Sequence, residues 1–193
     1  SSLFAHPGGA QSHSWLLLGQ ALAERGDLQD ATKAYTNALL RQPDLPEALL
    51  QLGSLHRLQG QHQQARVALE KAALLQPDEP VVLAGLGSVR HALGESEQGI
   101  ALLNRALDQD PSLVEAYVNL GQILQQKAKS QSDHDHLKGL YCSALLLEAN
   151  NPEAINNLGN VYSSTNLPST ARQIYEIALS LKPDCAQVYT NIG

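Results

Sequence analysis

A set of residue types that recurs every 34 residues constrains what this chain can fold into more than any single motif does. Pro43, Pro77 and Pro111 stand 34 residues apart, and Pro183 rejoins the same frame further along the chain. The same types precede each proline at the same offsets, and in the first unit they are Trp15, Leu18, Gly19, Leu22, Ala31, Tyr35 and Ala38. Self-similarity of this length is typical of an array in which each unit packs on its neighbours, so we expect a repeat protein.

Further copies of the pattern carry a resemblance to a known repeat. They read Leu49, Leu52, Gly53, Ala65, Leu69 and Ala72, then Leu83, Leu86, Gly87, Gly99, Leu103 and Ala106, then Ile155, Leu158, Gly159, Tyr162, Ala171, Tyr175 and Ala178. This pattern resembles the tetratricopeptide repeat, which is W-x2-L-G-x2-Y followed by alanine, an aromatic residue, alanine and proline. The resemblance implies an all-α fold, a right-handed superhelical solenoid of helix-turn-helix units.

The frame predicts where each unit begins and ends. After an N-terminal extension at 1–11, we expect repeats at 12–45, 46–79, 80–113, 114–151 and 152–185, and part of a sixth at 186–193. In the first unit, 12–25 is predicted as helix A and 28–41 as helix B. Because the chain starts without Met and stops inside the sixth unit, we expect it to be part of a longer protein.

Glycines occupy two recurring positions. Gly26, Gly60 and Gly94 fall between the two helices of a unit, where a left-handed residue that ends helix A is expected. Gly19 and its counterparts lie inside helix A, where glycine costs about 0.5 to 1 kcal/mol relative to alanine. We expect close approach of a small helix B residue, such as Ala31, to offset that cost.

The fourth unit is four residues longer than its neighbours. The extra length is predicted as an insertion at 125–136, a lengthened or irregular turn between helices A and B. Its Asp-His-Asp-His run at 133–136 contains metal-ligand types, but one run supplies no second ligand set at fixed spacing. A solvated loop or helix cap is the better interpretation.

The face of helix A that is turned away from helix B is the usual binding surface of such arrays. The peptide-binding residues predicted on it are Leu16, Gln20, Leu50, Arg57, Asn119, Gln122, Asn156, Asn157, Asn160 and Asn191. Asn119, Asn157 and Asn191 share one repeat position and are expected to form a ladder. Carboxamides offer the donors and the acceptor that an extended peptide main chain needs. The alternative is that these asparagines only satisfy neighbouring backbone groups or water.

Residues 156–162 and 178–183 look like the repeats of O-GlcNAc transferases and SPINDLY-type proteins. That resemblance implies that the asparagine ladder holds peptide substrates. Leu17, Gln51 and Gly85 interrupt the ladder in the first three units. A clamp for acidic chaperone tails is not expected, because Arg57 is nearly the sole fixed positive charge on the face.

The composition and the motifs argue against several other classes of function. The chain has 13 Lys and Arg residues and 19 Asp and Glu residues. Its formal net charge of −6 does not attract the phosphates of nucleic acid or an anionic membrane surface. No apolar run approaches the ~20 residues of a membrane span. No catalytic or phosphate-binding motif stands out, so no enzymatic activity, metal or cofactor is expected, and an intracellular site in cytoplasm or nucleus is predicted.

These inferences predict a scaffold that binds an extended or helical segment of another protein and so assembles a multiprotein complex. The alternative is the substrate-recognition arm of a larger enzyme, such as a protein O-linked glycosyltransferase. Self-association through the incomplete sixth unit is a third possibility.

Overall fold

A computed structural model of the chain describes residues 7–165 and 167–181, and every regular element in these residues is an α-helix. The helices are α1 (Pro7–Glu24), α2 (Leu28–Arg41), α3 (Pro46–Leu58), α4 (His62–Leu75), α5 (Pro80–Ala92), α6 (Ser96–Gln109), α7 (Val114–Gln125), α8 (Gln131–Leu147), α9 (Pro152–Ser164) and α10 (Pro168–Leu181). The all-α class predicted from the repeat is confirmed. Among the described helices, none combines the length and apolarity that a membrane crossing requires.

The chain divides into two compact units, each of which contains more than one repeat. From here on, the first unit is Ser1–Leu102 and the second unit is Leu103–Gly193. In the first unit α1 packs on α2, α3 on α4, and α3 also contacts α5. In the second unit α7 packs on α8, α9 on α10, and α7 contacts α9. Odd-numbered helices are therefore the A helices of successive repeats, and even-numbered helices are the B helices.

Local signals set most helix ends as expected. Gly26, Gly60 and Gly94 end α1, α3 and α5 with φ values of 85°, 72° and 87°. Proline occupies the first turn of α3, α5 and α9, where its missing amide proton costs nothing. Helix α2 begins and ends at the predicted residues, whereas α1 begins at Pro7, so helix replaces part of the predicted extension.

Small and large apolar residues alternate in the core of each helical pair. Ala31, Tyr35 and Ala38 of α2 are at most 1% exposed and pack with residues of α1 and α3. Leu69 of α4 and Tyr141 of α8 are fully buried at the position that Tyr35 occupies in the first repeat. Burying one such side chain contributes about 1.5–3 kcal/mol, so each pair carries its own share of the core.

The glycines inside α3 and α7 lie nearest to a larger helix B residue than the small one predicted. A Cβ atom at Gly121 would lie 2.6 Å from the ring of Tyr141, and one at Gly53 would lie 2.6 Å from Leu69 Cγ. The predicted small partner is confirmed in the second and third repeats, because a Cβ at Gly53 would also lie 3.4 Å from Ala65 O and one at Gly99 would lie 2.6 Å from Gly87 O. The glycine is needed because the large residue one turn further along helix B lies flat against helix A.

The lengthened fourth repeat places its extra residues in two locations. The turn covers 126–130, and α8 then begins at Gln131 and has 17 residues, against 14 in α2. The prediction of an irregular segment through 125–136 is wrong for residues 131–136, which form the first turns of α8. Ser130 caps this helix, because its side chain accepts from Asp133 N while Asp133 Oδ2 accepts from Ser130 N at 2.9 Å.

Candidate functional site

The A helices of the second unit, α7 and α9, carry the amide-rich part of the predicted binding face. Asn119 lies on α7 and Asn157 at the equivalent repeat position on α9, and the two helices are in contact. Asn191 and the partial sixth repeat lie outside the described residues. Two members of the predicted ladder therefore occur on neighbouring helices of one compact unit.

Asn119 is the most unusual polar residue of this pair of helices. Its side chain is only 9% exposed, and its Nδ2 atom is buried with no acceptor within hydrogen-bonding distance among the described residues. The Nδ2 atom of Asn157 is also buried without an acceptor there, although the residue as a whole is half-buried. A buried, unpaired polar group costs about 1–3 kcal/mol, so such exceptions call for an explanation.

The other predicted amides of this unit have different surroundings. Asn160 Oδ1 accepts a hydrogen bond of 2.7 Å from the Tyr175 hydroxyl, so this acceptor is engaged by the B helix of its own repeat. Gln122 is exposed one turn after Asn119, and Asn156 is half-buried. Asn119 and Asn157 are thus the members with donors that are unpaired among the described residues, and Gln122 is the member with an exposed side chain.

A second link between A and B helices joins Tyr141 to Gln125. The Tyr141 hydroxyl donates to Gln125 Oε1 at 2.8 Å, and burial raises the pKa of Tyr141 above its ordinary value. The protonated hydroxyl therefore acts as a donor that fixes the last residue of α7. Sequence reasoning missed these tyrosine contacts, although a helix B tyrosine with a polar residue 15 or 16 positions earlier was a visible signal.

Leu16, predicted to supply apolar contact in the groove, is buried instead. It is 4% exposed and belongs to a core cluster with Tyr35 of α2 and Leu55 of α3. The correction has a simple physical reason, since Ser12, Leu16 and Gly19 form an i, i+4, i+7 stripe on the buried face of α1. Gln20, Leu50 and Arg57 are half-buried, and Leu50 also packs against the core around Leu69.

Charge is sparse on the two A helices of the second unit. Glu115 and Glu153 are the charged residues in α7 and α9, and each stands four residues before a ladder asparagine. Residues four apart lie on one face of a helix, so each carboxylate shares a face with its asparagine. Asn119 and Asn157 consequently each have a negatively charged residue one turn away, towards the N-terminal end of the helix.

Asp133 of the Asp-His-Asp-His run takes part in the N-terminal cap of α8. This agrees with the helix-cap interpretation of the sequence. Asp133 Oδ2 accepts from the backbone N atoms of Lys129 and Ser130, both at 2.9 Å, and these bonds lower its pKa to about 2. Asp135 accepts from Gln131 and Lys138, and the hydrogen bond from Lys138 contributes most to lowering its pKa. Both carboxylates are occupied by neighbours on the same helix or turn.

The first unit contains a pocket that sequence reasoning did not find. It has a volume of about 430 Å³, opens between α3 and α4, and is mostly apolar. Its lining residues are Leu49, Leu52, His56, Gln63, Gln64, Val67, Ala68 and Lys71. The signal in the sequence was Val67, an apolar residue at the repeat position where the first repeat has Lys33. In the structure the Val67 side chain is 66% exposed.

Comparison with known protein families identifies the repeat. Family models described as "Tetratricopeptide repeat" match residues 16–80, 56–123 and 152–185. The models do not distinguish a peptide-binding scaffold from the recognition arm of a larger enzyme, so the resemblance to O-GlcNAc transferase repeats stays a prediction. The search of curated proteins found no significant match.

Solved structures share the fold. A thermophilic tetratricopeptide-repeat protein of Thermus thermophilus is similar with 22% identity and a TM-score of 0.79, over 94% of this chain and 96% of that one. PilF of Pseudomonas aeruginosa has 19% identity and a TM-score of 0.73, with 95% and 86% covered. YrrB, described as having an unusual peptide-binding site, has 18% identity and a TM-score of 0.61, with 91% and 89% covered. At these identities the likeness shows the fold alone.

Proposed function

The chain belongs to the tetratricopeptide-repeat family, and from this premise we propose that it is a protein-interaction scaffold that holds an extended segment of a partner along α7 and α9. The partner is a protein, bound within the cell as part of a multiprotein complex. No chemistry on the bound segment is required of these repeats.

The observation that carries the proposal is the buried Nδ2 atom of Asn119. It has no acceptor among the described residues, and the equivalent atom of Asn157 on the neighbouring A helix shares this property. A turn of each carboxamide towards the predicted binding face would bring its Nδ2 atom to a carbonyl oxygen of a bound main chain. A polypeptide main chain presents a carbonyl acceptor at every residue. It therefore suits two equivalent donors on contacting helices.

The geometry of the repeat explains how such binding gains affinity. Tyr141 and Tyr175 tie α7 and α9 to their B helices through hydrogen bonds of 2.8 Å and 2.7 Å. Asparagines on helices held in this way lose little conformational freedom when a ligand arrives, and preorganisation lowers the cost of binding. The relative YrrB is described as having a peptide-binding site, which supports a peptide ligand for this chain.

The test compares Asn119→Ala/Asn157→Ala with the wild type. Twelve-residue peptides are first selected from a random display library on the wild-type protein, and their Kd values are measured by fluorescence anisotropy. We expect the double variant to weaken binding at least tenfold, which corresponds to about 1.4 kcal/mol. A charge-neutral control in the same unit is Asn104→Ala/Asn150→Ala, which removes two exposed amides.

Circular dichroism must show equal helicity for the three proteins before their Kd values are compared. Loss of binding in the Asn119/Asn157 variant alone supports the proposal. Equal Kd values in all three proteins, or equal losses in both variants, would place the peptide elsewhere and overturn it.

A further inference from the structure

The apolar pocket between α3 and α4 is a docking site separate from the amide row. We propose that it receives the side chain of a tryptophan residue that belongs to a partner protein. The inference goes beyond the proposed function, because the pocket lies in the first unit and does not involve Asn119 or Asn157.

The pocket is present because the second repeat has a medium-sized residue on helix A opposite a small one on helix B. These residues are Leu49 of α3 and Ala68 of α4, and both line the pocket. The first repeat also has an alanine, Ala34, at the position of Ala68, but it has Trp15 at the position of Leu49. Trp15 packs against the core cluster around Tyr35. A repeat with alanine on helix B can therefore accommodate an indole ring at this level.

The later repeats have a larger residue on helix B instead. Leu102, Leu140 and Ile174 stand where the second repeat has Ala68. Leu102 and Ile174 pack against core clusters, and Leu140 is buried. The second repeat has neither the tryptophan nor the larger helix B residue, and a volume of about 430 Å³ stays open. Pockets of about 300–1,000 Å³ are the usual size for a bound organic group, so a tryptophan side chain fits.

A histidine gives this apolar pocket one hydrogen-bond acceptor. His56 lines the pocket, and its Nδ1 atom lies 2.6 Å from Gln61 Oε1. A carboxamide oxygen can only accept, so Nδ1 carries the proton and Nε2 of the neutral ring is an acceptor. Among the described residues no hydrogen bond engages Nε2. Because an indole N–H is only a donor, a tryptophan side chain matches both the apolar walls and this nitrogen.

The charges at the pocket favour a tryptophan within a polypeptide over a free amino acid. Lys71 lines the pocket, but its Nζ atom donates to Pro43 O at 2.6 Å and lies 3.1 Å from Asp44 Oδ1. A ligand carboxylate would have to compete with Asp44 for this ammonium group. The lining residues include no Asp or Glu that could pair with the ammonium group of a free amino acid. A residue inside a main chain carries neither charge, and the exposed Gln63 and Gln64 can pair with its amides.

Single amino acids with blocked termini test the site. The probes are N-acetyl-tryptophanamide, the same compound with benzothiophene in place of indole, and free tryptophan, and NMR titration of the isotope-labelled chain measures their Kd values. We expect N-acetyl-tryptophanamide to bind with a Kd of about 0.1–1 mM. The benzothiophene compound has the same shape without the N–H donor and should bind roughly fivefold more weakly. Free tryptophan should also bind more weakly than N-acetyl-tryptophanamide.

Two variants assign the binding to the pocket. Ala68→Leu introduces the residue that the third and fourth repeats have at this position, and it should weaken N-acetyl-tryptophanamide by about tenfold or more. Ala101→Leu adds the same atoms at an exposed position of α6 outside the pocket and should bind as the wild type does. His56→Leu introduces the residue of the first and fourth repeats and should bind the indole and benzothiophene probes equally. Circular dichroism and Tm verify that each variant is folded, and His56→Leu decides the test if Ala68→Leu is not.

Four results would overturn the inference. They are wild-type affinity in a folded Ala68→Leu variant, an equal loss in Ala101→Leu, equal wild-type affinity for the indole and benzothiophene probes, and tighter binding of free tryptophan than of N-acetyl-tryptophanamide. Asn119→Ala/Asn157→Ala should bind N-acetyl-tryptophanamide as the wild type does, because the two sites lie in different units. Failure of the peptide experiment on the amide row therefore leaves this inference standing, and failure of the tryptophan probes leaves the proposed function standing.

Discussion

The hydroxyl of Tyr141 donates a 2.8 Å hydrogen bond to Gln125, whereas the hydroxyl of Tyr35, at the same repeat position, is buried without a partner among the described residues. Ala23 stands in the first repeat where the fourth has Gln125. Two tyrosines that look equivalent in the sequence therefore differ in what their oxygen atoms contribute. Burial raises the pKa of both hydroxyls, so both are neutral donors.

We expect Tyr141→Phe to destabilise the protein by about 1 kcal/mol, because Gln125 loses its donor. Tyr35→Phe should be neutral or stabilising, because it removes a buried oxygen that has no partner in the described part of the chain. Urea midpoints compared at constant m-value measure both effects. A larger loss for Tyr35→Phe than for Tyr141→Phe would contradict this account of the hydrogen bonds.

Two glycines of the fourth repeat form a matched pair for a second prediction. A Cβ at Gly121 would lie 2.6 Å from Tyr141, whereas one at Gly139 of α8 meets nothing within 4 Å among the described residues. Gly121→Ala should therefore destabilise by about 1–3 kcal/mol through overpacking. Gly139→Ala should stabilise by about 0.5–1 kcal/mol, because alanine is the better helix former. Thermal melts with the same shift for both variants would refute the assigned contact.

The sequence predicted local features better than contacts between helices. Gly26 was predictable because a left-handed helix end constrains one residue, and that constraint is local. The neighbour of Gly121 was not, because it depends on how α8 crosses α7. Leu16 was misassigned because α1 has apolar residues on more than one face. The ladder position of Asn119 could be predicted from the 34-residue frame, but the burial of its Nδ2 atom depends on packing that the frame does not specify.

An ion-pair network in the first unit gives a third prediction. Arg90 of α5 contacts Glu70 of α4 at 2.6 Å and Glu95 at 2.7 Å, and its side chain is 23% exposed. A planar guanidinium can hold both carboxylates at once, which an ammonium group does less well. We expect Arg90→Lys to destabilise by about 1 kcal/mol, and the loss to shrink in a Glu70→Gln background. Additive losses in the double variant, measured by urea unfolding, would show that the two side chains are not coupled.

The cap of α8 predicts how stability depends on pH. The backbone donors of Lys129 and Ser130 hold the pKa of Asp133 at about 2, below its ordinary value of 3.8. Because the folded state lowers this pKa, the stabilisation is fully present above the ordinary value and is lost as the pH falls through about 2. Asp133→Asn should therefore lower Tm at pH 6, and its difference from the wild type should shrink as the pH falls from about 4 towards 2. A difference that stays constant over this range would mean that the charge of Asp133 does not stabilise the cap.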